Sequence, residues 1–281
     1  MQSSTAIRIR KASGEREAFN PEKLYTSLVR SGADADTAHI ITARIADSLH
    51  EDDHTRDIYT RAFATLRRLE RPMAARYSVK RALLELGPSG FPFEDFLGEI
   101  YRALGYNPIT RVTALGRCVE HEIDLVAVRD GERLGAEAKF HNNSGLKSDV
   151  KVALYVQARF EDIALKSPKG SAHDFTERII ITNTNFTEQA EIYASCAGLS
   201  LISWDYPSTG NLRELIEKTH VHPVSCLTSL SRAHKIHLME QGVVLCSQVR
   251  DHVSDLVGLG LSQQTIDTVL TEIKALCGRS E

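Results

Sequence analysis

One acid inside an apolar run constrains this chain more than any other feature. The stretch Cys118-Val-Glu-His-Glu-Ile-Asp-Leu-Val-Ala-Val-Arg-Asp-Gly-Glu-Arg-Leu-Gly-Ala-Glu-Ala-Lys-Phe140 holds two strand-like runs around a turn at Asp130-Gly131. The first run is apolar from Ile123 to Val128 and is broken by Asp124, while the second carries Glu137 and Lys139. A strand points successive side chains to opposite faces, so Glu122 and Asp124 share one face of the first strand. Glu137 and Lys139 share one face of the second. Pairing the strands across the turn brings the acids and the lysine together at a sheet edge. Unpartnered charge is costly to bury. A metal ion offsets that cost, and carboxylate oxygens suit magnesium.

Acid-x-lysine also occurs at Asp149-Val-Lys151 and Glu272-Ile-Lys274. Both of these lie in helical patterns, where positions two apart do not face each other. Only Glu137-Ala-Lys139 sits in a strand that follows another strand carrying an acid.

At 281 residues, the length predicts two or three domains. Apolar residues make up 42% and charged residues 25%, as in soluble globular proteins. No apolar run is long enough to span a membrane. The N-terminus lacks the basic and apolar regions of a secretory signal. Five scattered cysteines without a Cys-x-x-Cys exclude a zinc ribbon or disulfide framework and suit a reducing cytoplasm. A net charge of −3 gives no global attraction to nucleic acid, so a nucleic-acid partner needs a local basic patch.

The first 88 residues read as a short β start followed by four helices. Residues 6–11 alternate, Ser13-Gly14 turns, and Asn20-Pro21-Glu22 opens a helix with a cap, a proline and an acid. Further helices are expected from Asp36, from Thr55, and from Pro72 to a stop at Gly87-Pro88. Lys11-Ala-Ser-Gly14 through Lys23, with the closing Tyr77-Ser-Val-Lys-Arg81, resembles the ATP-cone domain of ribonucleotide reductases. The chain departs from that pattern at Ala12-Ser13, where the family usually has Arg-Asp. The resemblance implies ATP or dATP as a regulatory ligand, bound by Lys11, Gly14, Lys23 and Arg81. A glycine turn beside lysines at a helix start suits phosphate.

Residues 89–219 follow the order α-β-β-β-α-β-α-β, a mixed sheet flanked by helices. The helix from Phe93 carries an apolar stripe and ends at Gly105-Tyr106. This region is similar to the PD-(D/E)xK nuclease superfamily, most closely its Mrr-type restriction endonucleases. Phe93-Glu94 with Gly105-Tyr106, Asp124, Glu137-Ala-Lys139 and Gln157 carry the likeness, which covers about residues 90–205. It implies Glu94, Asp124, Glu137, Lys139 and Gln157 as catalytic residues, with Asp124 and Glu137 holding Mg2+ (or Mn2+). Glu99 is the competing acid on the opening helix, and the resemblance favours Glu94. Lys147, Lys151 and Arg159 are candidate DNA phosphate contacts.

Residues 220–281 read as a helical tail for packing or dimerisation, with a faint likeness to a DNA-binding helix-hairpin-helix around Gly242. The expectation is thus an α/β (α+β) chain: a mostly helical ATP-cone, a central mixed sheet, and a helical C-terminal region. Its expected function is a cytoplasmic, metal-dependent DNA endonuclease, acting as a dimer or higher homo-oligomer under ATP or dATP control. Two alternatives stand beside it: a nucleotide-responsive DNA-binding regulator with an inactive nuclease fold, and a nuclease acting on RNA or branched DNA.

Overall fold

The computed structural model describes residues 7–69, 71–87 and 89–278. Pro88, half of the expected helix stop, lies outside the described residues. Strands β1 (Arg8–Arg10) and β2 (Arg16–Ala18) form an antiparallel hairpin. Its turn places Gly14 at φ +87°, a left-handed conformation that glycine adopts without steric cost. Asn20 caps α1 (Pro21–Arg30), accepting from the N–H groups of Glu22 and Lys23. Helices α2 (Ala35–Asp47), α3 (Thr55–Leu69) and α4 (Arg71–Leu83) complete a bundle around Leu24, Leu28, Ile41, Ile45, Ile58 and Leu66.

The central region begins with α5 (Phe91–Ala103), β3 (Asn107–Leu115), β4 (Glu120–Arg129) and β5 (Glu132–Lys139). It continues through β6 (Lys147–Ser148), α6 (Val150–Lys166), β7 (Glu177–Thr182) and β8 (Asn185–Phe186). It closes with α7 (Glu188–Ala197) and β9 (Ser200–Ile202). Five strands form one mixed sheet in the order β3-β4-β5-β7-β9. The first three are antiparallel, and β7 and β9 run parallel to β5 and to each other. Asp130 at φ +48° and Gly131 at φ +86° make the tight β4–β5 turn that their sequence predicts. The helix expected from Lys147 starts at Val150, because the Asp149 carboxylate caps it through the N–H groups of Lys151 and Val152. Asp149 is therefore a structural acid.

Each sheet face has its own core. On one, Leu125, Ala127, Leu134, Ala136, Ile179 and Ile181 pack against Phe93, Phe96, Leu97 and Ile100 of α5. On the other, Val126, Ile180 and Leu201 meet Ala153, Val156 and Phe160 of α6, and Ala190 and Ala194 of α7. A Cβ on Gly135 would lie 2.7 Å from the Phe160 ring, so this glycine lets α6 settle directly on β5.

The C-terminal region contains α8 (Leu212–Thr219), α9 (Arg232–Glu240), α10 (Val253–Gly258) and α11 (Gln263–Cys277). Its apolar residues Val224, Leu227, Leu238, Ile266, Ile273 and Leu276 join the α5-side core together with Val79, Ala82 and Leu83 of α4. Arg76 donates to the Ala275 carbonyl and Ser225 to the Ala82 carbonyl, each at 2.8 Å. The buried Glu272, the other acid-x-lysine acid, accepts from the Thr228 and Ser229 N–H groups and fastens a loop. Among the described residues, no helix is long and apolar enough to cross a membrane.

Candidate active site

The sheet opens where its acids gather. Between β4 and β5 the ladder runs from Arg129–Glu132 to Leu125–Ala136, and one step further in the same register sets Asp124 opposite Glu137. Between β3 and β4 the pairing skips Arg111 and Asp124. Arg111 there adopts φ +56°, a left-handed conformation that a non-glycine residue rarely takes inside a strand. With the ladder interrupted, the Asp124 side chain substitutes for the missing backbone partner: its Oδ2 accepts the Ala138 N–H at 2.7 Å. Its Oδ1 has no hydrogen bond among the described residues.

Glu137 is the best-held acid. Its side chain is 4% exposed, and its two oxygens face two cations. Lys139 Nζ donates to Oε1 at 2.5 Å, and Arg159 Nη1 donates to Oε2. Lys139, at 32% exposure, reaches solvent from the same face. Burial, with the charge of Glu137 beside it, pushes the Asp124 carboxyl up to about 7. Near neutrality Asp124 is therefore divided between neutral and ionised forms.

Glu94 stands on the first turn of α5 and is 8% exposed. Burial raises its pKa above the usual carboxylate range against the opposing pull of Arg111. Arg111 donates to Glu94 Oε2 at 3.2 Å and to Asp95 Oδ1 at 2.8 Å. Sequence reasoning missed Arg111, since a left-handed arginine within a strand pattern carries no local signal. Glu99 instead pairs with Arg102 on the same helix.

Other expected residues fall elsewhere. Gln157 donates to Glu161 at 2.7 Å, and at 100° per residue it lies on the flank of α6 opposite Arg159. The structure does not join it to the acids. Arg159, expected at a DNA phosphate, turns inward instead. Its side chain is 10% exposed and binds Glu137, the Glu122 carbonyl at 2.9 Å and the Tyr155 hydroxyl. The sequence could not show this, because the register of α6 against β5 decides which way the side chain points. Lys147 and Lys151 are exposed beside the loop that follows Lys139. In that loop the buried Asn183 takes the His141 N–H at 2.8 Å and returns a bond to its carbonyl at 2.7 Å.

Lys11 of the N-terminal hairpin and Lys23 of α1 meet at Glu17, and the Gly14 N–H donates to the Lys11 carbonyl. Both lysines already have acids: Lys11 pairs with Glu15 at 3.2 Å and Glu17 at 3.0 Å, and Lys23 with Glu17 at 3.4 Å. Arg81 is engaged on α4, by Glu85 and over the Tyr59 ring. The hairpin turn approaches the nuclease-like region closely. A Cβ on Gly145, six residues after Lys139, would lie 3.0 Å from the Ala12 carbonyl.

The acids fit a hard divalent cation. Asp124 and Glu137 are adjacent across the strands, poorly solvated, and offer carboxylate oxygens, one of them unbonded. Among the described residues, no group of three or more His, Cys, Asp or Glu side chains closes into a metal-ligand cluster. An ion held by these two acids alone would take its other ligands from water and substrate.

Comparison with known proteins gives two family matches along the chain. A family model described as restriction endonuclease matches residues 87–206, and one described as AF1548-like, C-terminal, matches residues 222–277. An uncharacterised protein of Archaeoglobus fulgidus is 38% identical over 178 residues, covering 62% of this chain and 95% of that protein. The crystal structure of AF1548, a protein of unknown function, superposes with a TM-score of 0.54 at 33% identity, covering 68% of this chain and all of that one. Can2 from Sulfobacillus thermosulfidooxidans, solved in complex with cyclic tetra-adenylate, gives a TM-score of 0.32 at 9% identity. It covers 73% of this chain and 64% of its own, and no argument rests on it. Neither family match reaches residues 1–86.

Proposed function

We propose that this chain, which belongs to the family of AF1548-like proteins and carries a restriction endonuclease domain, hydrolyses DNA phosphodiester bonds with a divalent cation at Asp124 and Glu137. The observation that carries the reading is the cross-strand placement of half-buried Asp124 beside buried Glu137, with Lys139 bonded to Glu137. Magnesium, or manganese in its place, supplies charge relief on the phosphoryl oxygens and acidifies a bound water. Asp124 must be ionised to ligate, and a cation bound there would hold its carboxyl below about 7. The Ala138 N–H fixes Asp124 Oδ2, so Oδ1 is the oxygen free to bind. Lys139 holds Glu137 at rest and is exposed enough to turn toward the attacking water or the charge developing on phosphate. Glu94, clamped by Arg111, orients the α5 side of the cleft. Lys147 and Lys151 contact the DNA backbone from the rim.

We further propose that ATP or dATP bound at Lys11, Gly14 and Lys23 regulates cutting, with Arg81 reaching the nucleotide once it leaves Glu85. The contact between the Lys11–Gly14 turn and the loop after Lys139 supports such coupling. Duplex cleavage takes two such centres, so the active form is a homo-oligomer, a dimer at least.

The test is a cleavage assay across duplex, methylated, branched and single-stranded DNA and RNA, with magnesium or chelator and with or without ATP. Magnesium-dependent cutting of DNA is expected, with a rate that changes on adding ATP. No cutting of any substrate would contradict the nuclease, and an unchanged rate with ATP would contradict the regulation. One observation favours a second reading, a DNA-binding regulator that no longer cuts: both oxygens of Glu137 already face cations. Calorimetric titration with magnesium separates the two, since a regulator with a closed site takes up no metal.

A further inference from the structure

We infer that Arg159 stands in the place of a second cation and makes this a one-metal centre. The inference rests on the nuclease reading and deepens it. In two-metal hydrolytic sites the ions lie close together, about 3.5–4 Å apart, and clamp the attacking and leaving oxygens. Both ions of such a pair need carboxylate oxygens, and Glu137, 3% exposed, is the more buried of the two acids here. Its Oε2 is taken by Arg159.

Arg159 is not a side chain waiting to be displaced. It donates to Glu137, to the Glu122 carbonyl at 2.9 Å and to the Tyr155 hydroxyl, and its guanidinium lies 4.6 Å from the centre of the Tyr155 ring. The Phe160 ring packs on Gly135 one residue further along α6, which fixes the register that aims Arg159 at Glu137. A guanidinium cannot release its proton near neutrality, so its charge is permanent. Lys139 differs. It is more exposed, meets the other oxygen, Oε1, and has no second acceptor among the described hydrogen bonds. The two oxygens of Glu137 therefore divide the work. Lys139 yields Oε1 to one divalent ion shared with Asp124, while Arg159 keeps Oε2.

Charge balance leads to the same count. Asp124 and Glu137 bring two negative charges when ionised. One divalent ion matches them and leaves Lys139 to meet the phosphate, while Arg159 stays on Glu137. A second divalent ion beside that fixed guanidinium would find no third acid closing a cluster among the described residues. Arg159 is thus a positioning residue that sets metal number through Glu137. The reaction still obtains positive charge on that side, from a group the protein supplies itself.

The test counts bound Mn2+ on the intact chain at pH 8 by the electron paramagnetic resonance signal of free ion, with folding followed by circular dichroism. Wild-type protein is expected to bind one Mn2+, lost in Asp124→Asn. Arg159→Lys keeps the charge and should still bind one, whereas Arg159→Met should bind two. Two Mn2+ in wild-type protein, both lost in Asp124→Asn, would overturn the inference while leaving the nuclease reading intact. One Mn2+ in folded Arg159→Met would also overturn it. No Mn2+ in wild-type protein would overturn the inference and the metal-dependent reading together. If Arg159→Met does not fold, the wild-type and Arg159→Lys counts decide.

Discussion

Glu17 and Glu137 each sit between two cationic side chains, yet the two acids have opposite meanings. Glu17, in the N-terminal hairpin, meets Lys11 and Lys23 in an arrangement where its side chain is 27% exposed and Lys23 is 67% exposed. Glu137, in the sheet, meets Lys139 and Arg159 with 4% of its side chain exposed. Water and salt screen the first cluster, so its pairs contribute little and exchange partners easily. Such exchangeable pairs are what the proposed nucleotide site would require. The second cluster is held out of water, so every charge in it must be answered by another. Burial, rather than charge pattern, separates a centre for chemistry from a surface network.

Substitutions can sharpen that contrast, and the largest effect belongs to the buried side. Glu137→Ala leaves Arg159 buried without its acid and should destabilise the protein by about 3–5 kcal/mol in urea unfolding. An effect below about 1 kcal/mol would mean that water reaches Arg159 freely.

The acid across the strand should behave in the opposite sense. The Asp124 carboxyl is raised to about 7 in the folded chain, mainly by burial. Between an unfolded value of about 4 and that folded value, the native state holds the extra proton, so stability falls as pH rises through this window. Asp124→Asn removes the penalty and keeps an oxygen for the Ala138 N–H. Metal-free Asp124→Asn should therefore be more stable than wild-type by roughly 1–3 kcal/mol at pH 8, at about 1.4 kcal/mol per pKa unit with a discount for partial solvation. The gain should vanish below about pH 3, where Asp124 is neutral in both states. A gain independent of pH would break the account of Asp124.

The smallest effect is expected in the hairpin. Glu17→Ala should cost under about 1 kcal/mol at low salt and nothing measurable at 1 M salt. It should tighten binding of labelled ATP, because Lys11 and Lys23 lose their competing acid. Unchanged ATP binding would count against a nucleotide site at this turn.

What was legible in the sequence follows from the length scale of each signal. The hairpin that holds Asp124, Glu137 and Lys139 is readable because strand alternation and the Asp130-Gly131 turn are local, and together they fix a cross-strand register. The α1 start at Asn20-Pro21 and the helices of the N-terminal bundle were readable for the same reason. Arg159 was seen as a cation but placed on the wrong side, since its direction depends on Phe160 seating against Gly135, a contact between distant parts of the chain. Gln157 was misplaced with it, by the same rotation about α6. Arg111 was invisible because its conformation exists only where β3 and β4 part. The C-terminal helices were foreseen as a tail, but their sharing of one core with α4 and α5 needed the folded chain.

The central claim is that Asp124, Glu137 and Lys139 form one hydrolytic centre, and Lys139 tests it most directly. It is the member with the least structural burden, so its removal should affect chemistry more than folding. The measurement is the single-turnover rate of cutting in magnesium by wild-type protein and by Lys139→Ala, with thermal melts of both. A rate lower by about 10²–10⁴-fold with a nearly unchanged melting temperature is the predicted result. Equal rates in the two proteins would contradict the claim.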